Sequence, residues 1–261
     1  DVRVLHRYTP AGIMLMEVPS GFLEDVLLPD PVVIHADLGM SGMKEEILIP
    51  GHNLSLSDLH YVHLLMPELK GSGQVISIKE NRMDTADVDL LNRVLANPKA
   101  SSKFSQHATI MATWAAGAGN AGPAGRGVAK GAKIVSSELN GLLPDEPEDY
   151  GQFGISIQNH SYGTKPDNQY GLQAMAYDLS VVNAPELLHV FSAGNDGEAS
   201  LSDGPFAGVK GFANLSGSFK MAKNALVVGA VGDRNQLMDF SSRGPAHDGR
   251  IKPDLVAYGM D

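Results

Sequence analysis

The chain has 261 residues, 43% of them hydrophobic, enough to bury one sizeable core or one core plus a small appended module. Its formal net charge of −10 spreads twenty basic residues among thirty acidic ones, which excludes the clustered cationic surface that nucleic-acid binding needs. Cysteine is absent, removing thiolate catalysis, cysteine-ligated zinc and disulfides, and no apolar run reaches the ~18 residues of a membrane-spanning helix.

The start, DVRVLHRY, has neither an initiator Met nor the apolar region of a signal peptide, so a soluble chain beginning at a processing boundary is expected. Residues 1–50 read as an N-terminal extension. In it GIMLMEV and PVVIHADL are two strand-like runs separated by PSGFLEDVLLPD, a short helical or loop segment. MSGMKEEILIPGHN, ending at Pro50-Gly51, reads as the linker to a second unit of residues 51–261. That unit opens with a capping box, Ser55-x-x-Asp58, and a helical stretch, LSDLHYVHLLM, closed by Pro67. His60 and His63 on this stretch have a spacing that zinc can use, but no carboxylate pattern accompanies them and packing is the simpler reading.

From Gly73 onward short β-rich runs alternate with small-residue or amphipathic stretches: QVISI, HATIMATWAAGAGN, AKIVSSEL, ISIQNHSYG, QYGLQAMAYDLSVVN, LLHVFSAGN and ALVVGAVG. The strand-like runs are continuous rather than alternating, as strands covered on both faces must be, so an α/β layer fold with a mostly parallel sheet is expected. Function in such sheets gathers at the carboxyl ends of strands. The polar residues there include Glu80, Asn159, Ser161 and Asn195, with His107 at a helix start after a Ser102 or Ser105 N-cap.

Each of these has an ordinary reading beside a chemical one. His107 is a neutral base at a helix N-terminus, or a packed capping histidine. Glu80 is a carboxylate able to orient a histidine, or a strand-end turn residue; Asp84, Asp87 and Asp89 fit the turn description. Asn195 is a donor for a developing oxyanion, or part of an Asn-Asp-Gly turn.

In combination the blocks QHATIMATWAAGAGN, GVAKGAKIVSSEL, ISIQNHSYG, VFSAGNDG, ALVVGAVG and FSSRGPAHDGRIKPDLVAYG resemble the subtilisin-like serine peptidases over about residues 52–261. The last block is the most specific. The resemblance implies a three-layer α/β fold with a mostly parallel central sheet, plus a small propeptide-like segment at the amino end. It matches His107 to the catalytic histidine, Asn195 to the oxyanion-hole asparagine, and Ser161, Tyr162 and Gly163 to the strand that pairs with an extended peptide substrate. Where most members write D-T-G-V-D, this chain has ENRMD, so Glu80 takes the place of the catalytic Asp; a Bacteroidetes-type subgroup looks similar.

The implied activity is endoproteolysis by acyl transfer, with polypeptide substrates and the chain's own propeptide as partners. The family's nucleophile motif, G-T-S-M-A-A-P, has no match before Asp261, and Ser241 and Ser242 belong to the FSSRGP turn, so this polypeptide is expected to be inactive. No cofactor is expected for catalysis; structural calcium is common in the family, at a site the sequence does not mark. Secretion or cell-surface exposure in a bacterium follows from family habit. The rival from another class is a peptide-binding pseudoprotease that keeps the cleft without the chemistry. Asn53, Asn159 and Asn214 head glycosylation sequons by pattern alone.

Overall fold

The computed structural model describes residues 2–39, 42–46 and 54–259. At the amino end β1 (Arg3–Tyr8) and β2 (Ile13–Glu17) form an antiparallel hairpin turned by Thr9–Ala11. GIMLMEV is therefore a strand as expected, and its partner is the run before it. PVVIHADL contains no strand and leaves Ile34 98% exposed, because apolar composition without a sheet edge to pair against does not make a strand. PSGFLEDVLLPD holds α1 (Ser20–Phe22), which continues as a π-helical turn over Leu23–Leu27. Tyr8 and Ile13 fasten the hairpin by burying against Leu143 and Ala176 of the larger unit.

The expected linker is only partly one. Lys44–Glu45 form β3, paired with a strand of the larger unit, while Met40, Ser41 and residues 47–53 lie outside the described residues, and with them the Pro50-Gly51 boundary and the Asn53 sequon. α2 (Leu59–Leu65) begins later than a capping box at Ser55 implies. Its N-cap is Asp58, held in the left-handed region at φ 55°, and the Asp58 side chain makes no capping bond. His63 Nε2 bonds the Val128 carbonyl at 2.8 Å and His60 meets Tyr61 edge-on, so this pair packs.

Then come β4 (Val75–Lys79), β5 (Val94–Leu95), α3 (Gln106–Ala116), β6 (Lys133–Ser137), α4 (Pro147–Phe153), β7 (Ile155–His160), β8 (Tyr162–Gly163), α5 (Leu172–Asn183), β9 (Leu188–Ser192), β10 (Leu226–Val231) and β11 (Leu255–Tyr258). Seven of these strands make one sheet in the order β11-β10-β9-β7-β4-β6-β5, and every neighbouring pair is parallel. The sheet is thus wholly parallel where a mostly parallel one was expected.

Strand alternation explains the three layers. Ile76, Ile78 and Ile134 point to one face and bury against Ala108, Ala112 and Ala116, a stripe of small residues that lets α3 approach closely. Val75 and Val135 point to the other and pack with Tyr150 of α4, while Phe191 of β9 packs with Ala174 and Tyr177 of α5. All five residues of β4 are buried, including Ser77, bonded to the Ser137 hydroxyl, and Lys79, paired with Asp145. No helix among the described residues is long and apolar enough to cross a membrane.

Because β9, β7 and β4 are consecutive in the sheet, the residues that follow them emerge side by side at its carboxyl edge. These are Asn195, Ser161 and Glu80.

Candidate active site

Glu80 leaves the end of β4 with 1% exposure, its N–H bonded to the Ser137 carbonyl at 3.2 Å. His107 is the second residue of α3, whose N-cap is Ser105: the Ser105 hydroxyl accepts the Ala108 N–H at 3.2 Å. A cap of this kind contributes about 1 kcal/mol and fixes where the helix starts, and so where the imidazole sits. Glu80 Oε2 and His107 Nδ1 are 2.5 Å apart, with both side chains buried. Burial pushes the Glu80 carboxyl up from its ordinary value, while His107 and the Ser161 backbone amide pull it back. A carboxylate only accepts, so Nδ1 carries the shared proton and Nε2 is the basic nitrogen. Nε2 is buried and has no hydrogen-bond partner among the described residues.

The strand beyond β7 forms the adjacent wall. Ser161 is buried and Tyr162 fully so, the latter resting on a closed ring of hydrogen bonds. The Ser180 hydroxyl donates to the Tyr177 carbonyl, so it accepts from His189 Nε2, and the direction propagates: His160 Nε2–H donates to His189 Nδ1, Tyr162 donates to His160 Nδ1, and Tyr177 donates to Tyr162. Every member is neutral and satisfied, which fixes β8 from beneath.

On its exposed edge β8 pairs antiparallel with β3, Lys44 opposite Gly163 and Glu45 opposite Tyr162, and the Glu46 N–H donates to the Ser161 carbonyl at 3.1 Å. The wall expected to hold an extended peptide thus holds one, from the chain's own amino-terminal segment. Glu45 lies beside the dyad: one carboxylate oxygen from each of Glu45 and Glu80 and a ring nitrogen of His107 fall within 4.8 Å of one another, a grouping a metal could use. Glu80 and His107 already bond each other and the Ser105 hydroxyl donates to Glu45, so the set is a hydrogen-bonded dyad with a neighbouring carboxylate.

Asn195 follows β9 and lines a cavity with Glu46, Ser192, Gly194 and Ser241. Gly194 has φ 116° and a Cβ there would overlap Ser216 and Ser242, so only glycine fits. The FSSRGP turn props this loop: the Ser242 N–H donates to the Gly194 carbonyl, the Ser242 hydroxyl accepts the Asp196 N–H, and the Ser241 hydroxyl accepts the Ala230 N–H. Both serines are buried and structurally engaged, in keeping with their reading as turn residues. The KPDLVA block has a similar task, since Asp254 accepts the Val227 N–H and is held by Lys252, tying β11 to β10.

Other sequence candidates fall away from the chemistry. Asp84 accepts the Ala86 N–H in a local turn. Asn159 donates to Ser161 Oγ, and Asn214 is fully buried with its amide on two carbonyls, a poor glycan acceptor. Sequence reasoning missed Glu45, Glu46, Ser192, Ser216 and Lys220. The one local signal was Lys220 itself, a lysine set in the otherwise small and apolar run LSGSFKMA.

The profile of the subtilase family matches residues 35–261. Among solved structures, the epidermin leader peptide processing serine protease EpiP from Staphylococcus aureus superposes with a TM-score of 0.64 at 14% identity, over 98% of this chain and 69% of that one. The Clostridium perfringens CspB protease gives 0.60 at 14% identity over 78% of each chain, and the prenylagaramide maturation protease PagA 0.56 at 19% identity over 82% of this chain and 70% of that one. At such identities these likenesses speak for the fold, and the profile match for descent: the chain belongs to the subtilase family.

Proposed function

We propose that this chain carries the acid, the base and the oxyanion donor of a serine endopeptidase, with the nucleophile supplied by sequence continuing past Asp261. What carries the reading is the Glu80–His107 contact of 2.5 Å, which leaves a buried Nε2 facing no hydroxyl among the described residues. In this scheme a serine attacks the peptide carbonyl, His107 Nε2 takes its proton and returns it to the departing amine, and Glu80 holds the tautomer and offsets the imidazolium charge. Asn195 donates to the tetrahedral oxyanion. The backbone of Ser161–Gly163 aligns the substrate as an added antiparallel strand, a role supported by its pairing with Lys44–Glu46. Residues 1–50 serve as the propeptide. Catalysis runs on side chains alone, and export from a bacterial cell is proposed on the resemblance alone.

The polypeptide ending at Asp261 is expected to show no turnover of a casein or peptide substrate above buffer. The continued parent protein is expected to show turnover that falls about 10⁶-fold in His107→Ala. Turnover by the 261-residue chain, or an active parent indifferent to His107→Ala, contradicts the assignment; a parent that binds peptides without cutting them is the pseudoprotease.

A further inference from the structure

Lys220 is fully buried on a short helical turn, Ser218–Met221, between Phe219 and Met221, which are also fully buried. An ammonium group in such surroundings is costly unless an opposite charge meets it. Its Nζ donates to Ser216 Oγ at 2.8 Å and to Glu46 Oε2 at 2.9 Å. Burial lowers the lysine from its ordinary value, and Glu46 is the foremost group restoring it, with Asp196 behind. The other hydroxyls agree in direction: Ser192 donates to Glu46 Oε2 and Ser216 to Glu46 Oε1. One carboxylate therefore collects three charge-assisted hydrogen bonds in a site that keeps its side chain 5% exposed. The wall is shaped for it as well, because a Cβ at Gly163 would overlap Glu46 Oε1.

The backbone gives this pocket its place relative to the dyad. Glu46 donates its N–H to the Ser161 carbonyl, Glu45 before it stands beside His107, and Glu46 shares its cavity with Asn195. The residue whose side chain reaches Lys220 thus lies beside both the proposed base and the oxyanion donor.

We infer that the pocket closed around the Glu46 side chain by Lys220, Ser192 and Ser216, next to the cavity that Asn195 lines, is a subsite for a glutamate side chain immediately preceding the bond to be cut, with those three residues determining specificity and Glu46 as its built-in occupant. This rests on the endopeptidase reading above. A substrate glutamate enters with its carboxylate on Lys220; the amide bond on its carboxyl side breaks, the hydroxyl of water ends on the glutamate carbonyl carbon and the proton on the departing amine. Glutamine leaves Lys220 without a counter-charge, leucine leaves three donors unpaired, lysine sets like charges together, and aspartate is one methylene short.

Two measurements test it. The continued parent protein is given peptides that differ only at the residue before the cleaved bond, and kcat/KM for Glu is expected to exceed that for Gln by ~100-fold, a ratio collapsing toward one in Lys220→Met. Cleavage without that preference overturns the subsite and leaves the endopeptidase reading intact; no cleavage of any peptide overturns the latter. The second readout needs no catalysis. In the 261-residue chain, amide hydrogen exchange at residues 43–46 is expected to speed up at least ~10-fold in both Glu46→Gln and Lys220→Met, through loss of a buried charge pair. Unchanged exchange in both variants overturns the assignment of Glu46 and Lys220 as anchor and pocket.

Discussion

Glu80→Gln in the continued parent protein is expected to lower kcat about 10⁴-fold with little change in KM, a magnitude carried over from acid-to-amide changes in serine-protease triads. An amide of the same shape keeps the packing but supplies no charge to meet the imidazolium, and it releases the tautomer that the 2.5 Å contact holds. Stability should not fall with activity. Burial raises the Glu80 carboxyl above its ordinary 4.5, so the folded protein binds this proton more readily than the unfolded chain. The ionised form then works against folding at pH 7, and a neutral amide removes that cost. Steady-state kinetics and urea midpoints on both proteins check the pair of statements; an unchanged kcat refutes the role.

The second large effect is on stability in acid. His189 is fully buried, and burial together with Lys79 lowers it from 6.5 to about 3; His160 beside it is lowered as well, chiefly by burial. The ring of hydrogen bonds under β8 explains why these histidines must stay neutral. His189 Nδ1 accepts from His160 and its Nε2 donates to Ser180, so a second proton has no acceptor to meet. For a group depressed on folding, the unfolded chain takes up the proton first, at about 6.5, and the folded protein only near 3. Stability is therefore whole above pH 6.5 and is lost as pH falls toward 3, by roughly 4 kcal/mol from His189, at about 1.4 kcal/mol per unit. Urea denaturation at pH 7 and pH 4 is expected to show a much steeper loss in the native sequence than in His189→Gln. Equal losses would mean that the ring does not constrain the protonation state. Since the ring carries Tyr162, acid should also loosen the wall that holds Lys44–Glu46.

What the sequence made legible followed the range of the interaction. β4, β7, β9 and β10 were readable because each falls in a short run rich in apolar and β-branched residues, and Glu80 and Asn195 were readable because they directly follow such runs. The N-cap of α3 was legible as Ser102 or Ser105, because a cap is a contact three residues long, and the structure decides for Ser105. Glu46 was not, since its partner Lys220 is 174 residues away and a Lys-Glu-Glu stretch before Pro50 looks like any solvated linker. β3 is two residues long and exists only because β8 offers an edge, which no local pattern records. PVVIHADL erred the other way, strand-like in composition but lacking a partner. The Ser55-x-x-Asp58 pattern misled because Asp58 adopts a left-handed conformation that a spacing rule does not see.

The most direct test is labelling of the continued parent protein by an active-site phosphonate, followed by intact mass. A single adduct is expected on a serine beyond Asp261, formed in the native sequence and lost in His107→Ala. An adduct on a serine within residues 1–261, or labelling at the same rate without His107, would contradict it.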